Sequence, residues 1–187
     1  MDDLRVKILE GTIPIFNEKG MKFTMDDIAK TLGISKKTIY TVFNDKEELF
    51  LAMVDYLFDE IKLSEKAVVA DPRLTTEEKI RKILGVMPEG YKNIDFTRLY
   101  LLKDKYPEIY KKVEERLENG WETTLDILNR GVEEGVVRPI KLPILKMMLE
   151  ASIEQFFQRD ILKDNDMTYS EGLDAVVDIL IEGIIKK

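Results

Sequence analysis

Residues 24–48 read TMDDIAKTLGISKKTIYTVFNDKEE, and this stretch decides the fold. Thr24 is a fit N-cap, because its hydroxyl can accept a backbone N–H that the first helical turn leaves open. Asp27 stands three residues on and closes a capping-box variant. Ile28, Ala29 and Leu32 share one side at helical spacing, and Gly33 supplies the residue on which a helix ends. Ser35 caps the next helix, whose inner side is Ile39, Val42 and Phe43. Asn44 or Asp45 caps a third, opened by Glu47 and Glu48, which complement the helix dipole. Two helices across a tight turn, followed by a third, have the outline of a helix-turn-helix.

With Lys36 at zero on a helical wheel and about 100° per residue, Ile39, Val42 and Phe43 fall on one side. Lys37 and Thr41 fall opposite, flanked by Lys36, Thr38 and Tyr40. An apolar half that docks inward therefore leaves an outward half of lysine, threonine and tyrosine. One α-helix fits the major groove of duplex DNA. There a lysine can donate to guanine O6 and N7, and a threonine can donate or set its methyl against thymine. Tyr40 and Lys46 are better placed for phosphates, which position a protein without reading sequence. Amides at the starts of the helices capped by Thr24 and by Asn44 or Asp45 could add anion contacts.

Working outward, helical spacing continues nearly everywhere, with no credible strand pattern. Leu4, Ile8, Ile15 and Phe16 predict a first helix ended by Gly20, with a kink or early break at Pro14, whose ring removes one backbone hydrogen bond. The helix capped by Asn44 or Asp45 is expected to run from about Lys46 to Lys62 and to link two domains, 1–46 and 47–187. Further helices are expected from Thr75 or Thr76 to about Val86, over 93–105, over 107–134, over 142–162 and from Thr168 onward. Gly131, Gly135 and Pro139 mark the loop after the one over 107–134. The fold class is all-α, about nine helices in total: an N-terminal three-helix bundle with a helix-turn-helix, and a larger C-terminal helical domain.

Composition narrows the chemistry. The chain has 187 residues, no cysteine and no histidine. Disulfides, thiolate catalysis and zinc–thiolate sites are excluded, and the commonest general base and transition-metal ligand are missing. No nucleophile–base pair, phosphate-cradling glycine loop or metal-ligand spacing is present, so no enzyme, cofactor or metal is expected. Net charge is −7. Local charge matters more: residues 30–46 carry Lys30, Lys36, Lys37 and Lys46 against Asp45, a net +3. No apolar run approaches the roughly 18 residues a membrane helix needs, and MDDLRVK lacks a signal-peptide core. A cytoplasmic protein is expected.

Residues 8–54, about a quarter of the chain, resemble the TetR family of bacterial transcriptional regulators. The features are Ile8-Leu9, Ile15-Phe16, Lys19-Gly20, Thr24-Met25-Asp26-Asp27-Ile28-Ala29, Leu32-Gly33-Ile34-Ser35, Thr38-Ile39-Tyr40, Phe43 and Asp45-Lys46-Glu47-Glu48-Leu49. The resemblance implies base contacts from Lys36, Lys37 and Thr38 and phosphate contacts from Tyr40 and Lys46. The full DNA-binding set is Thr24, Lys36, Lys37, Thr38, Tyr40, Thr41 and Lys46. Departures are Pro14 within the first helix, Lys37 where relatives often have a small residue, and Asp26 where some carry a basic one.

The resemblance further implies a homodimer through about 142–162 and 168–187, holding two recognition helices about one DNA turn apart on a palindromic operator. Expected function is a ligand-responsive regulator, a repressor in the leading reading. The alternative is a coactivator of the same fold that binds a protein and not DNA. An apolar or amphipathic small-molecule effector is expected among the C-terminal helices, with Tyr91, Phe96, Tyr100, Trp121 and Phe157 as wall residues.

Overall fold

A computed structural model describes residues 3–88, 103 and 106–186. Its helices are α1 (Asp3–Lys19), α2 (Met25–Leu32), α3 (Lys36–Tyr40), α4 (Lys46–Ala70), α5 (Thr76–Leu84), α6 (Pro107–Glu118), α7 (Glu122–Glu133), α8 (Leu142–Gln158), α9 (Ile161–Asp164) and α10 (Tyr169–Ile184), with a 3-10 turn at Gly20–Lys22. Among the described residues there is no strand, and nine of the α-helices are five residues or longer. The expected helix over 93–105 lies outside the described residues.

The N-terminal three-helix unit is organised around four phenylalanines. Phe16, Phe23, Phe43 and Phe50 are all fully buried, together with Ile8, Leu9, Ile28, Ile39 and Leu49. Phe16 meets Phe50 edge-on at 5.1 Å between centroids, and Phe23 stacks on Phe50 at 6.3 Å. Both geometries suit the aromatic quadrupole. The caps form as read: Thr24 Oγ1 accepts from Asp27 N while the Asp27 carboxylate accepts from Thr24 N, and Gly33 takes the left-handed conformation at φ 64°. Ser35 accepts from Thr38 N, and Asp45 accepts from Glu48 N.

Pro14 does not break α1. It is exposed, and Ile13, Ile15 and Phe16 beside it are buried against the rest of the unit. Packing on both sides of the proline carries the helix through a position where a backbone hydrogen bond is lost.

The linker helix α4 is longer than the sequence suggests, reaching Ala70, about 37 Å at 1.5 Å per residue. Its first turns bury Leu49, Phe50 and Met53 in the N-terminal unit, and it goes on to pack against α5, α6 and α7. Tyr56 donates to Glu10 at 2.9 Å and fastens it to α1.

Two further expectations are corrected. The helix expected over 107–134 is two helices, α6 and α7. They are broken at Asn119–Trp121, where Gly120 sits at φ 78° and the Trp121 indole N–H turns back to the Leu117 carbonyl at 2.8 Å. Gly131 is correspondingly inside α7 and not in the following loop. A Cβ there would lie 2.6 Å from Ile80 Cδ1 and 2.8 Å from Val137 Cγ2, so only glycine lets α7 approach α5 and the returning loop. The helix expected over 142–162 ends at Gln158, because Arg159 is extended (φ −132°, ψ 151°) and α9 is a separate turn. The chain end is tied down: Val137 and Ile185 form an isolated antiparallel bridge, flanked by Arg138 N to Ile184 O and Lys186 N to Val136 O, each 2.9 Å.

Candidate nucleic-acid interface and effector cavity

Helix α3 is anchored by Ile39 and Phe43, both without exposure, while Tyr40 keeps 45% of its surface. Lys36, Lys37 and Thr41 are exposed and Thr38 is half-buried. Four of the seven predicted residues, Lys36, Lys37, Tyr40 and Thr41, thus share one open surface. Lys36 pairs with Asp26 of α2 at 3.1 Å, between two exposed side chains. Such a pair contributes little and is readily exchanged for a phosphate or base. Lys37 has no ion-pair partner among the described residues. The hydroxyls are less available. Thr41 donates to the Thr38 carbonyl at 2.7 Å, Thr38 shares a 2.8 Å bond with Ser35, and Thr24 is engaged in its own capping box.

Lys46, expected to meet phosphates, already has partners within the fold. Its ammonium donates to the carbonyls of Met21 and Phe23 and lies 4.2 Å from the centre of the Phe23 ring. It holds the turn before α2 onto the start of α4. The two carbonyls lie 25 and 23 residues away in the chain, beyond any local pattern. Two other polar ties escaped notice: Lys36 with Asp26, and Asn44, whose backbone and side-chain N–H groups both reach Glu48 Oε2 at 2.8 Å. A carboxylate three or four residues after a turn is the signal for the second.

The larger helical part encloses a cavity of about 100 Å³ between α4, α5, α6, α7, α8 and α10. Leu57, Ile61, Leu84 and Leu149 give it apolar walls, and both Trp121 and Phe157 line it. Tyr91, Phe96 and Tyr100 lie outside the described residues. Polar groups enter at one side. Glu65 is 5% exposed; Lys62 Nζ stands 2.7 Å from its Oε1, and its Oε2 has no hydrogen-bond partner among the described residues. Burial pushes the Glu65 carboxyl above its ordinary value, Lys62 opposes that shift, and Glu122 adds to it. Arg116 also lines the cavity while its guanidinium reaches Asp55 at 3.4 Å and Asp59 at 2.6 Å on α4.

A profile of the family described as bacterial regulatory proteins, tetR family, matches residues 8–53. The Bacillus subtilis HTH-type transcriptional regulator YvaF is 28% identical over 178 residues, 95% of this chain and 94% of that protein. YhgD, a second HTH-type transcriptional regulator of Bacillus subtilis, is 30% identical over 136 residues, 72% of this chain and 70% of that one. This chain belongs to the TetR family. The crystal structure of the Bacillus subtilis transcriptional regulator FadR in complex with stearoyl-CoA shares the fold, with a TM-score of 0.61 at 18% identity, covering 96% of this chain and 98% of that one.

As a TetR-family member the protein is a DNA-binding transcriptional regulator, and its relatives are regulators, not enzymes. Among the described residues no group of three or more acidic, histidine or cysteine side chains could hold a metal ion, and no helix is long and apolar enough to cross a membrane.

Proposed function

We propose that this TetR-family regulator is a homodimeric repressor. It grips a palindromic operator through α3 and releases it when an apolar or amphipathic small molecule enters the cavity. Residues 1–46 bind DNA; residues 47–187 bind ligand and dimerise. The observation that carries the reading is the division of α3: Ile39 and Phe43 locked inside, Lys36, Lys37 and Tyr40 outside.

Pairing is supported by the outer face of α8 and α10. Ile144, Met147 and Met148 keep 52%, 54% and 47% of their surface, and Ile179 keeps 74%. Apolar side chains of this size seldom gather on a monomer's surface without a partner. One short recognition helix also makes few contacts for a specific site, which a two-fold axis doubles. FadR's bound stearoyl-CoA supports an apolar ligand for this fold. Arg116 supplies a route from cavity to DNA. It touches the cavity and grips Asp55 and Asp59, so a ligand that displaces it changes how α4 sits and thereby the spacing of paired α3 helices.

The test is operator binding by the triple variant Lys36→Ala, Lys37→Ala, Tyr40→Ala. At about 1–3 kcal/mol for each good base contact, affinity should fall at least a hundredfold while helical content is kept. Undiminished affinity would refute the assignment. Affinity should also fall steeply with salt, by counterion release. Binding indifferent to salt would instead favour the protein-partner reading of the acidic whole.

A further inference from the structure

Within that ligand-release reading, on which this step rests, we infer that the effector carries a hydrogen-bond-donating head on its apolar body. Glu65 receives that head, and a protonated amine fits better than a carboxylate.

Most polar groups of the cavity already have partners. Arg116 is paired with Asp55 and Asp59. Lys62 is paired with Glu65 through Oε1. The Trp121 indole N–H is held by the Leu117 carbonyl. Asn119 Nδ2 donates to the Glu115 carbonyl, and the Thr124 and Tyr169 hydroxyls also belong to the lining. Among the described lining residues, the side chain that is more than nine-tenths buried and carries an acceptor with no partner is Glu65, at Oε2. A buried acceptor without a donor is destabilising, the more so when charged. A ligand that brings a donor recovers this, whereas a carboxylate finds Lys62 and Arg116 already engaged by Glu65, Asp55 and Asp59 and meets the like charge of Glu65.

Placement on α4 strengthens the assignment. Leu57, Ile61 and Glu65 recur every four residues, so they share one face, and all three line the cavity. A glutamate thus occupies the third step of an apolar stripe. The cavity is small, about 100 Å³ against about 150 Å³ for an apolar cavity that takes benzene in another protein, so the apolar body is no larger than a single ring. The ligand chemistry is therefore a small apolar or aromatic group bearing an ammonium, or, more weakly, a hydroxyl.

Trp121 is the sole tryptophan of the chain and lines the cavity, so its fluorescence reports occupancy directly. The unmodified full-length protein is titrated with benzylamine, benzyl alcohol and benzoate, three probes of one shape and different heads. Benzylamine should bind about tenfold tighter than benzyl alcohol, as charge-assisted bonds do relative to neutral ones, and benzoate weakest. In Glu65→Gln the amine's advantage should disappear while the alcohol still binds. Benzoate binding as tightly as benzylamine, or no response to any probe, overturns the assignment, as does an amine preference that survives Glu65→Gln. The wild-type series needs no variant to fold. Operator affinity is measured in the same samples. Benzylamine that saturates the Trp121 signal and leaves operator affinity unchanged supports the role of Glu65 and refutes ligand-driven release, so the two readings fail separately.

Discussion

The N-terminal unit and the helices behind it are filled in different ways. The N-terminal phenylalanines Phe16, Phe23, Phe43 and Phe50 have 1% exposure or less. Phe156 and Phe157 of α8 retain 8% and 5%, and Phe157 lines a cavity that also holds a glutamate. A reading head must present α3 in one orientation, and a close-packed aromatic core gives it one. A sensor must admit a guest, and an unfilled interior with an orphaned acceptor leaves room for one. The solid unit is stiff where geometry is used, and the hollow one is adjustable where chemistry is received.

The largest test of that contrast is Phe50→Ala against Trp121→Phe. Removing Phe50 deletes the ring that both Phe16 and Phe23 touch, and should cost about 3–5 kcal/mol in chemical denaturation. Trp121→Phe acts beside existing free volume and should cost less than about 1.5 kcal/mol. Equal losses would mean that the cavity is as tightly packed as the N-terminal core, and the distinction would go.

What the sequence showed and what it hid follow the same division. The caps at Thr24 and Ser35 were legible, those at Asp45 and Thr75 to within one residue, and Thr168 as a helix start, because each cap is a transaction within three residues. The outward face of α3 was legible because one helix carries it. The breaks at Gly120 and Arg159 were not: Leu117, Trp121 and Leu125 stay in phase across the first, so apolar periodicity passes over the gap. The Lys46 clamp depends on carbonyls brought close only by folding. Glu65 left a faint trace, its four-residue spacing from Ile61 and Leu57, but a lone glutamate on a charged helix reads as solvated until the walls around it are known. Of the five proposed wall residues, Trp121 and Phe157 do line the cavity.

Smaller effects separate the regions further. If α8 and α10 pair two copies, Ile179→Glu places a charge in an apolar interface. The dimer dissociation constant should rise at least about a hundredfold by sedimentation, with little change in the thermal stability of the N-terminal unit. A dimer indifferent to that charge would move the interface elsewhere. Below this come the capping boxes, which occur in both regions. Thr24→Ala and Thr168→Ala should each cost about 1 kcal/mol. Nearly equal losses would show that caps act locally whatever core lies beneath them. A much larger loss at Thr24 would show that α2 is cooperative with the phenylalanine core.

The slightest expected effect is pH, where the capping carboxyls of both regions and the cavity glutamate run in opposite sign. Lys19, hydrogen-bonded at 2.7 Å, and then the backbone N–H and hydroxyl of Thr24 hold the Asp27 carboxyl down to about 2. Glu78 and Glu171 are lowered in the same way by the backbone N–H and then the hydroxyl of Thr75 and Thr168. A carboxyl whose folded pKa is depressed gives its stabilisation in full above the ordinary carboxylate range and loses it as pH falls, for Asp27 toward about 2. Glu65 runs the other way. Its pKa is raised by burial, so its charge costs stability as pH rises above the ordinary glutamate value and through the folded one. Asp27→Asn should therefore flatten the acid limb of the stability profile, and Glu65→Gln should flatten the limb on the neutral side of it. The measurement is denaturant unfolding from pH 2 upward, followed by helical circular dichroism and by Trp121 fluorescence. If Glu65→Gln left the neutral limb unchanged, water would have to reach Oε2, and the hollow region would be an open cleft in place of a closed chamber.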